Sequence, residues 1–373
     1  MVKSILVSRT RSSHDCSATT IANFGSKRDT RFIELLVSLW FGSSLRSKPR
    51  IRANFRTATL AALAVWIAAT STGYAQEKLK VAIPQRGFWD SSWVEFGQAA
   101  GFFKEAGLEV EIFWTDGGAQ TLTAAVSGSV DIALSNGFLG VVGAYVKGAP
   151  IKVISAEMTG ATELFWWVKS DSPYKTLGEV PEGKTVAFSS PGSSSNLILL
   201  ALLKQTGSKA KPVATGGVPG TTTQVMTGQI DVGWSVVPLG LQDVQEGKRR
   251  IIARANDVVE MRNQTIRVNI VNTEILKTKR AAITKFMEVY AKSIDWAYTN
   301  PQATEMFAKN MKVPVDVAKR GVDEYYPKAA MQMGEIRDLE RTLKDALDYK
   351  FIPSPKTVKD VEGMIDIVYK PAK

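Results

Sequence analysis

The chain has 373 residues, of which 45% are hydrophobic and 22% are charged, a composition typical of globular proteins. Its formal net charge of +11 is uneven, because residues 1–75 hold 11 of the 47 basic residues and only 3 of the 36 acidic ones. The remaining 298 residues carry 36 basic and 33 acidic groups and are close to neutral. The basic isoelectric point is therefore no indication of nucleic-acid binding.

The basic front end has the pattern of an export leader. A basic stretch (46–56) precedes an apolar one, and Gly73 and Ala75 suit a signal-peptidase site, with cleavage expected between Ala75 and Gln76. We therefore expect a soluble periplasmic protein. The alternative is an uncleaved anchor helix, although the apolar stretch is short for a span of about 20 residues. Residues 1 to about 40 look unlike a functional leader, which indicates a start codon assigned too far upstream.

Cysteine and histidine are confined to this leader, as Cys16 and His14. The mature chain therefore excludes disulfides, Cys/His zinc sites, a cysteine nucleophile and a histidine base. A Ser–His–Asp triad is excluded as well, while a Ser–Lys pair and an all-oxygen metal site stay open. We expect no catalytic residue, no metal and no cofactor.

From Lys78 onward, short β-rich stretches alternate with helical ones, which predicts βαβ units around a largely parallel sheet. The first half contains the predicted strands 78–84, 108–115, 130–136 and 151–157 and the predicted helices 93–107, 119–128 and 138–148. The second half contains the predicted strands 184–190, 230–236 and 249–255 and the predicted helices 194–207 and 221–228.

The two halves share one pattern, AVSGSVDIA (125–133) and VMTGQIDVG (225–233), in which a glycine ends a helix and an aspartate follows it. Asp131 and Asp231 are expected to be structural because each lies at the start of a strand. The alternative is that such helix-to-strand joints recur by chance. The repetition favours two similar α/β lobes.

Two stretches connect the predicted lobes: 163–173 leads to the second lobe and 265–276 leads back. The tail from Lys279 is helical in pattern. We therefore predict an α/β clamshell of two lobes with two crossing strands and a helical C-terminal extension, and a ligand site in the cleft. The expected domains are the leader 1–75, a first lobe of 76–166 and 268–373, and a second lobe of 167–267.

Six segments in this order carry a family resemblance: KVAIPQRGFWDSSW, GFFKEAGLEVEIFW, GGAQTLTAAVSGSVDIALSNG, GAYVKGAPIKVIS, KTVAFSSPGSSSN and GQIDVGWSVVP. With them, the mature chain resembles the substrate-binding proteins of ABC importers, above all those for nitrate, sulfonates, taurine and thiamine-pyrimidine precursors. The resemblance implies a type II periplasmic binding protein-like fold. Each segment is weak alone, and together they are more specific for the fold than for the ligand.

The resemblance also implies a function. A non-catalytic monomer would capture a small organic or inorganic anion and deliver it to a membrane permease with its ATPase, without nucleic acid. One alternative is a binding protein for a thiamine-pyrimidine precursor or an aromatic carboxylate. Another is a pyrimidine-synthesis enzyme that consumes its own histidine, which the mature chain lacks. A sensory or scaffold role is a further alternative.

The serine-rich stretch SSPGSSSN (189–196) lies between a predicted strand and a predicted helix. Backbone N–H groups at a helix N-terminus favour an anion, and hydroxyl groups add donors. Gly192, Ser193 and Ser194 are therefore candidate ligand-binding residues. The alternative is an ordinary N-cap, in which Ser193 or Ser194 satisfies the helix without a ligand.

The equivalent turn of the first half supplies Trp89, Asp90 and Ser91, where an aromatic ring adjoins polar groups. The alternative is that these rings only cover the following helix. Asp90 suits a helix cap or a ligand amine, such as that of taurine, better than a purely anionic ligand.

The remaining candidates lie at predicted strand ends and helix starts: Gly118, Gln120, Asn136, Gly137 and Trp234. Arg267, on the return crossing, suits an anion, a hinge or a surface position, and the sequence leaves this choice open.

Overall fold

The computed structural model describes residues 76–371, and the predicted signal peptide lies outside these residues. These described residues form one compact unit. Between residues 76 and 371, no helix has both the length and the apolar character needed to cross a membrane.

The first lobe is built on a five-stranded sheet. Its strands are β1 (Glu77–Ile83), β2 (Leu108–Trp114), β3 (Ile132–Gly137), β4 (Ile151–Thr159) and β10 (Thr265–Asn272). The sheet order is β2-β1-β3-β10-β4, with β1 parallel to β2 and β3 and with β10 antiparallel to both of its neighbours. The connecting helices are α1 (Trp93–Ala99), α2 (Phe102–Glu105), α3 (Gly118–Ser127) and α4 (Phe138–Val146).

The second lobe repeats this arrangement. Its strands are β5 (Leu164–Lys169), β6 (Thr185–Phe188), β7 (Lys211–Ala214), β8 (Gly233–Val236) and β9 (Arg249–Arg254), and its helices are α5 (Ser194–Thr206), α6 (Val218–Met226) and α7 (Leu241–Gln245). Val232 joins the pair β6-β7 to the trio β8-β5-β9, since its N–H donates to the Thr185 carbonyl (3.0 Å) and its carbonyl accepts from Ala187 (2.8 Å). The resulting order β7-β6-β8-β5-β9 matches the order of the first lobe.

The chain crosses between the sheets twice, at residues 160–163 and 255–264, where Gly160 N–H donates to the Gln264 carbonyl across 2.9 Å. The expected lobe boundaries after residues 166 and 267 cut through β5 and β10, whereas each strand belongs whole to one sheet. Hydrogen bonding along a whole strand therefore moves the boundaries into the crossings.

The aspartates of the repeated pattern make the same contact in each lobe. The Asp131 carboxylate accepts from the backbone N–H of Lys80 (2.8 Å), and the Asp231 carboxylate accepts from that of Thr185 (2.9 Å). A lysine also pairs with each carboxylate. Both aspartates thus tie the joint after a helix to the lobe's first strand, the structural role that the sequence predicts.

A pair of threonines repeats in the same way. The hydroxyl oxygens of Thr115 and Thr121 lie 2.7 Å apart, and those of Thr215 and Thr221 lie 2.6 Å apart. Each pair joins the end of an edge strand to the first turn of the following helix. The resemblance between the halves is therefore a repeated local structure and not a chance joint.

The C-terminal extension is helical, as predicted, and consists of α8 (Thr273–Thr299), α9 (Pro301–Met311), α10 (Val315–Tyr325), α11 (Leu339–Asp348) and α12 (Val358–Val361). Ile365 bridges to Val153 of β4, which attaches the tail to the first lobe. Tyr326 also donates its hydroxyl to the Val237 carbonyl (2.9 Å), so the extension contacts the second lobe too.

Three predicted elements differ from the structure. The single helix predicted for 93–107 is two helices, because Gly101 adopts a left-handed φ of 79° between them. The strand predicted for 265–276 ends at Asn272, whose side chain caps α8 by accepting from Glu274 N–H (2.9 Å). Strand β7 is not predicted, because Lys-Pro-Val-Ala carries no alternating pattern.

Candidate functional site

A cavity lies between the two lobes, at the carboxyl ends of β1 and β3 and the N-termini of α3 and α5. Its volume is about 20 Å³, room for about one water molecule, so the lobes are closed on one another. Its lining residues come from both lobes: Pro84, Gln85, Phe88, Ser91, Gly118, Ser135, Gly137, Leu164, Ser189, Ser193, Ser194, Ser195, Trp234 and Arg267.

Two helices begin at the cavity, one from each lobe. Helix α3 begins at Gly118 and α5 begins at Ser194, and both of these residues line the cavity. The N–H of Ala119 donates across the cleft to the Ser190 hydroxyl (3.1 Å). Backbone donors at the two N-termini therefore give this end of the cleft a positive potential.

Three serines of the second lobe form a closed ring of hydroxyl groups. The oxygens of Ser189, Ser193 and Ser195 lie 2.9 to 3.1 Å from one another. Ser193 also accepts from the N–H of Asn196, which makes it the N-cap of α5, and Ser195 accepts from the N–H of Ser189. The ring can satisfy its own protons, so the N-cap alternative holds for Ser193, although the residue also lines the cavity.

Ser194 differs from its three neighbours. Its oxygen accepts a hydrogen bond from Nε of Arg267 (3.2 Å), an atom that has only protons to donate. The Ser194 proton is consequently left to point elsewhere, and the residue lines the cavity. Ser194 is therefore a hydrogen-bond donor available to a ligand.

Arg267 connects both lobes through a buried charge network. Its guanidinium donates to Asp90 (3.0 Å) in the first lobe and to Glu163 in a crossing, and its side chain is 4% exposed. Burial acts to lower the pKa of Arg267, but the two carboxylates raise it above its ordinary value. Burial raises the pKa of Glu163. Because two carboxylates already face Arg267, its charge is balanced inside the protein.

Glu157 forms a second buried group behind the cavity wall. Its carboxyl accepts from the Tyr290 hydroxyl (2.6 Å) and from the hydroxyl of Ser135 (3.2 Å), a lining residue. Burial, with a smaller contribution from Asp90, raises the pKa of Glu157 to about 8. Glu157 is therefore largely protonated at neutral pH, which limits the negative charge beneath the cavity.

Trp234 presents an unused donor at the cavity. Its ring is almost fully buried, and its Nε1 has no hydrogen-bond partner within residues 76–371. Its cross-strand neighbour Trp166, by contrast, donates Nε1 to the Ala187 carbonyl (2.9 Å). An indole N–H can only donate, so a ligand that meets Trp234 supplies an acceptor.

The structure brings six of the eleven predicted site residues to the cavity: Ser91, Gly118, Gly137, Ser193, Ser194 and Trp234. It places the other five elsewhere. Trp89 is fully buried among aromatic rings, with Phe96 and Phe307 at centroid distances of 5.0 and 5.1 Å. The alternative interpretation of this turn, that its rings cover the helix, therefore describes Trp89.

The other four have local roles. Asp90 is paired with Arg267 and caps no helix with its side chain, which corrects the expected helix cap. Gln120 accepts from the N–H of Asp116 (2.7 Å), and Asn136 donates to the Ala133 carbonyl (2.9 Å). Gly192 contacts the first lobe beside the cavity. Neighbouring groups therefore take part of the polar capacity of these residues, although Asp90 Oδ1 and Asn136 Oδ1 have no hydrogen-bond partner among the described residues.

Several lining residues were not predicted. Ser189 and Ser195 lie in the same serine-rich stretch as the candidates, so the motif pointed to them without naming them. Gln85 and Phe88 lie next to the predicted residues of the first-lobe turn. Ser135 has a left-handed φ of 51°, which is uncommon for a residue other than glycine and which no local sequence pattern indicates. Within the described residues, no group of three or more His, Cys, Asp or Glu side chains could hold a metal ion.

The structure has the clamshell fold of periplasmic binding proteins, as predicted. Its two α/β lobes have the same strand order, the chain crosses between them twice, and a cavity lies between them. A sequence model of the family described as NMT1/THI5 like matches residues 94–304, more than half of the chain. The chain therefore belongs to this family. No curated protein matches the chain in sequence.

Solved structures agree on the fold. The periplasmic aliphatic sulphonate binding protein SsuA from Escherichia coli is 20% identical with a TM-score of 0.61, covering 80% of this chain and 94% of that one. The alkanesulfonate-binding protein SsuA from Xanthomonas axonopodis pv. citri, bound to MOPS, is 17% identical with a TM-score of 0.65, covering 78% and 98%. The periplasmic nitrate-binding protein NrtA from Synechocystis PCC 6803 is 14% identical with a TM-score of 0.61, covering 77% and 85%.

Proposed function

We propose that this protein is the periplasmic solute-binding component of an ABC-type importer. It captures a small solute that carries an oxyanion, of the sulfonate or nitrate kind, in the interlobe cavity and delivers it to a membrane permease. The likeness to sulfonate- and nitrate-binding proteins supports the class of function. The finer assignment depends on the chemistry of the cavity.

The set of free donors is the observation that carries the proposal. Trp234 Nε1 has no partner in the described part of the chain, the Ser194 proton is free, and two helix N-termini open on the same space. An oxyanion has several acceptor oxygens and can use all of these donors at once. Because carboxylates balance Arg267, the anion would be held by neutral donors and helix dipoles.

A binding role is also favoured over serine chemistry. A serine nucleophile in this chain would need a lysine as base, and the lining residues that the structure describes include no lysine. The serines are instead engaged with one another and with the first turn of α5. Stabilisation of the closed form by a ligand that touches both lobes is the mechanism that remains.

A thermal melting panel tests the proposal. We expect methanesulfonate, taurine or nitrate to raise the melting temperature of the purified protein, since a ligand at 100 times its Kd stabilises a protein by about 2.7 kcal/mol. The panel includes an aromatic carboxylate and a pyrimidine, because Phe88 and Trp234 form an aromatic pair at the cavity. If only these flat solutes raise the melting temperature, the ligand is an aromatic carboxylate or a pyrimidine and the proposed oxyanion is wrong.

Two tryptophan variants test the assignment of the site. Trp234→Phe removes a donor that no residue between 76 and 371 uses, so we expect ligand affinity to fall by about 5- to 10-fold, while stability falls only by the cost of the smaller buried ring. The matched control, Trp166→Phe, removes a donor that is bonded to Ala187 and should lower the melting temperature instead. Equal affinities of Trp234→Phe and the wild type would contradict this site.

A further inference from the structure

The two lobes meet backbone to backbone beside the cavity. Gly140 is the third residue of α4, and its N–H is one of the first-turn donors that the helix itself cannot satisfy. This N–H donates to the Gly192 carbonyl of the second lobe (3.1 Å). Gly137, which caps α4 and lines the cavity, contacts the same loop.

Glycine is required at this contact only because the lobes meet. A Cβ on Gly137 would lie 2.6 Å from Cα of Ser193, and one on Gly140 would lie 3.1 Å from the Gly192 carbonyl oxygen. The nearest atoms in both cases belong to the other lobe. Gly137 has an ordinary backbone conformation (φ −58°, ψ 121°), so an alanine there would be unstrained if the lobes were apart.

The opposite side of the contact is held in place. Gly192 has a left-handed φ of 78°, and its N–H donates to the Asn196 side chain (3.0 Å), which fixes the loop against the start of α5. A Cβ on Gly192 would lie 2.6 Å from Cα of Gly140. This contact adjoins Gly137 and Ser193, two lining residues, so the backbones of the two lobes approach each other at the edge of the cavity.

We infer that Gly137, Gly140 and Gly192 form a closure contact that determines how large a solute the closed cleft holds. With three glycines, the backbones of the two lobes approach within hydrogen-bond distance, so the closed cleft is small. A methyl group at this contact keeps the lobes apart, which penalises closure on a compact solute more than closure on a longer one. The size limit rests on the proposed function, whereas the contact itself does not.

Gly140→Ala is the main test because Gly140 is not among the cavity's lining residues. We expect Kd for methanesulfonate to rise about tenfold, as an overpacked contact does, and Kd for butanesulfonate to rise less. Alanine favours a helix over glycine, so the ligand-free melting temperature should be unchanged or higher. The weaker binding would then be separated from a folding defect.

The matched control is Gly220→Ala. Gly220 is likewise the third residue of a helix, α6, and its added Cβ would meet only the Thr215 carbonyl of its own lobe, at 3.4 Å. We expect unchanged affinity for both probes in this variant. Unchanged affinity and unchanged size preference in Gly140→Ala, in a wild type that binds, would overturn the closure contact.

A readout without ligand keeps this inference separate from the proposed function. We expect Gly137→Ala to have a larger radius of gyration than the wild type by small-angle X-ray scattering, with Gly220→Ala equal to the wild type. Equal radii for Gly137→Ala and the wild type would overturn the closure contact. A wild type that binds neither sulfonate nor nitrate would overturn the proposed function and leave the scattering result to decide the contact.

Discussion

The two lobes have the same scaffold but use the same turn for different purposes. Both have one sheet order, one aspartate at the repeated joint and one threonine pair. After the first strand of the first lobe, the turn is aromatic and largely buried, with Trp89 in the core. After the first strand of the second lobe, the turn is a serine loop at a helix N-terminus. A repeated fold therefore fixes the position of a turn but not its chemistry.

The two turns make different contacts, so the two lobes contribute different groups to the cavity. The aromatic turn packs against the C-terminal extension, where Trp89 contacts Tyr298 and Phe307. Its Asp90 anchors Arg267, which in turn reaches Ser194 in the second lobe. The first lobe therefore supplies the carboxylate that pairs with Arg267, while the second lobe supplies most of the hydroxyl groups at the cavity.

The largest effect is expected from the residue that joins the lobes. Arg267→Met leaves Asp90 and Glu163 buried without their partner, so the free energy of unfolding should fall by about 3–5 kcal/mol in urea denaturation. Arg280→Met, which removes a half-exposed pair with Asp366, should cost less than about 1 kcal/mol. Similar losses in the two variants would show that the buried network stabilises the fold no more than a half-exposed pair does.

An intermediate, pH-dependent effect is expected from the first lobe alone. Folding raises the pKa of Glu157 from 4.5 to about 8, so between these pH values the folded protein holds a proton that the unfolded chain releases. Stability therefore falls as the pH rises through this window. Glu157→Gln keeps the acceptor for Tyr290 and removes the titration.

We expect the Gln variant to match the wild type near pH 5 and to be more stable by about 2 kcal/mol or more near pH 8, since each pH unit contributes up to about 1.4 kcal/mol. Urea denaturation of both proteins across this range measures the difference. Parallel pH profiles would mean that Glu157 stays ionised in the folded protein.

The smallest effect tests the repeat itself. Asp131→Asn and Asp231→Asn each weaken a hydrogen bond from a backbone N–H to a carboxylate, so each should lose about 1–2 kcal/mol of stability. The loss should be larger for Asp131, which is buried, whereas Asp231 is partly exposed. Asp171→Asn, at an exposed position, is the control and should be neutral. A loss of stability in only one of the two aspartate variants would show that the two helix-to-strand joints are not energetically equivalent.

The sequence predicted the scaffold well because periodic patterns report on burial. Alternating strands and helices gave the two lobes, and the pair Asp131 and Asp231 gave their equivalence. Lobe boundaries were less accurate, since hydrogen bonding along all of β5 and β10 decides which sheet holds each strand. The predicted signal peptide and cleavage site stay predictions, as do the permease and the monomeric state.

The candidate site was predicted in part. Strand ends and helix starts led to Gly118, Gly137 and Ser194, because local sequence sets where a helix begins. Trp89 and Asp90 are not among the lining residues, because the C-terminal helices and Arg267 contact their side chains, and nothing near them in sequence shows this.

The amino-acid sequence by itself determined the alternation of elements, the lack of histidine and cysteine after residue 16, and the serine-rich helix start. These features depend on neighbours within a few positions along the chain. Only the tertiary structure decided that Arg267 is balanced by Asp90 and Glu163 and that Gly140 meets Gly192. Those contacts join residues 52 to 177 positions apart, and their energies arise from burial and close approach, which exist only once the lobes have folded and closed.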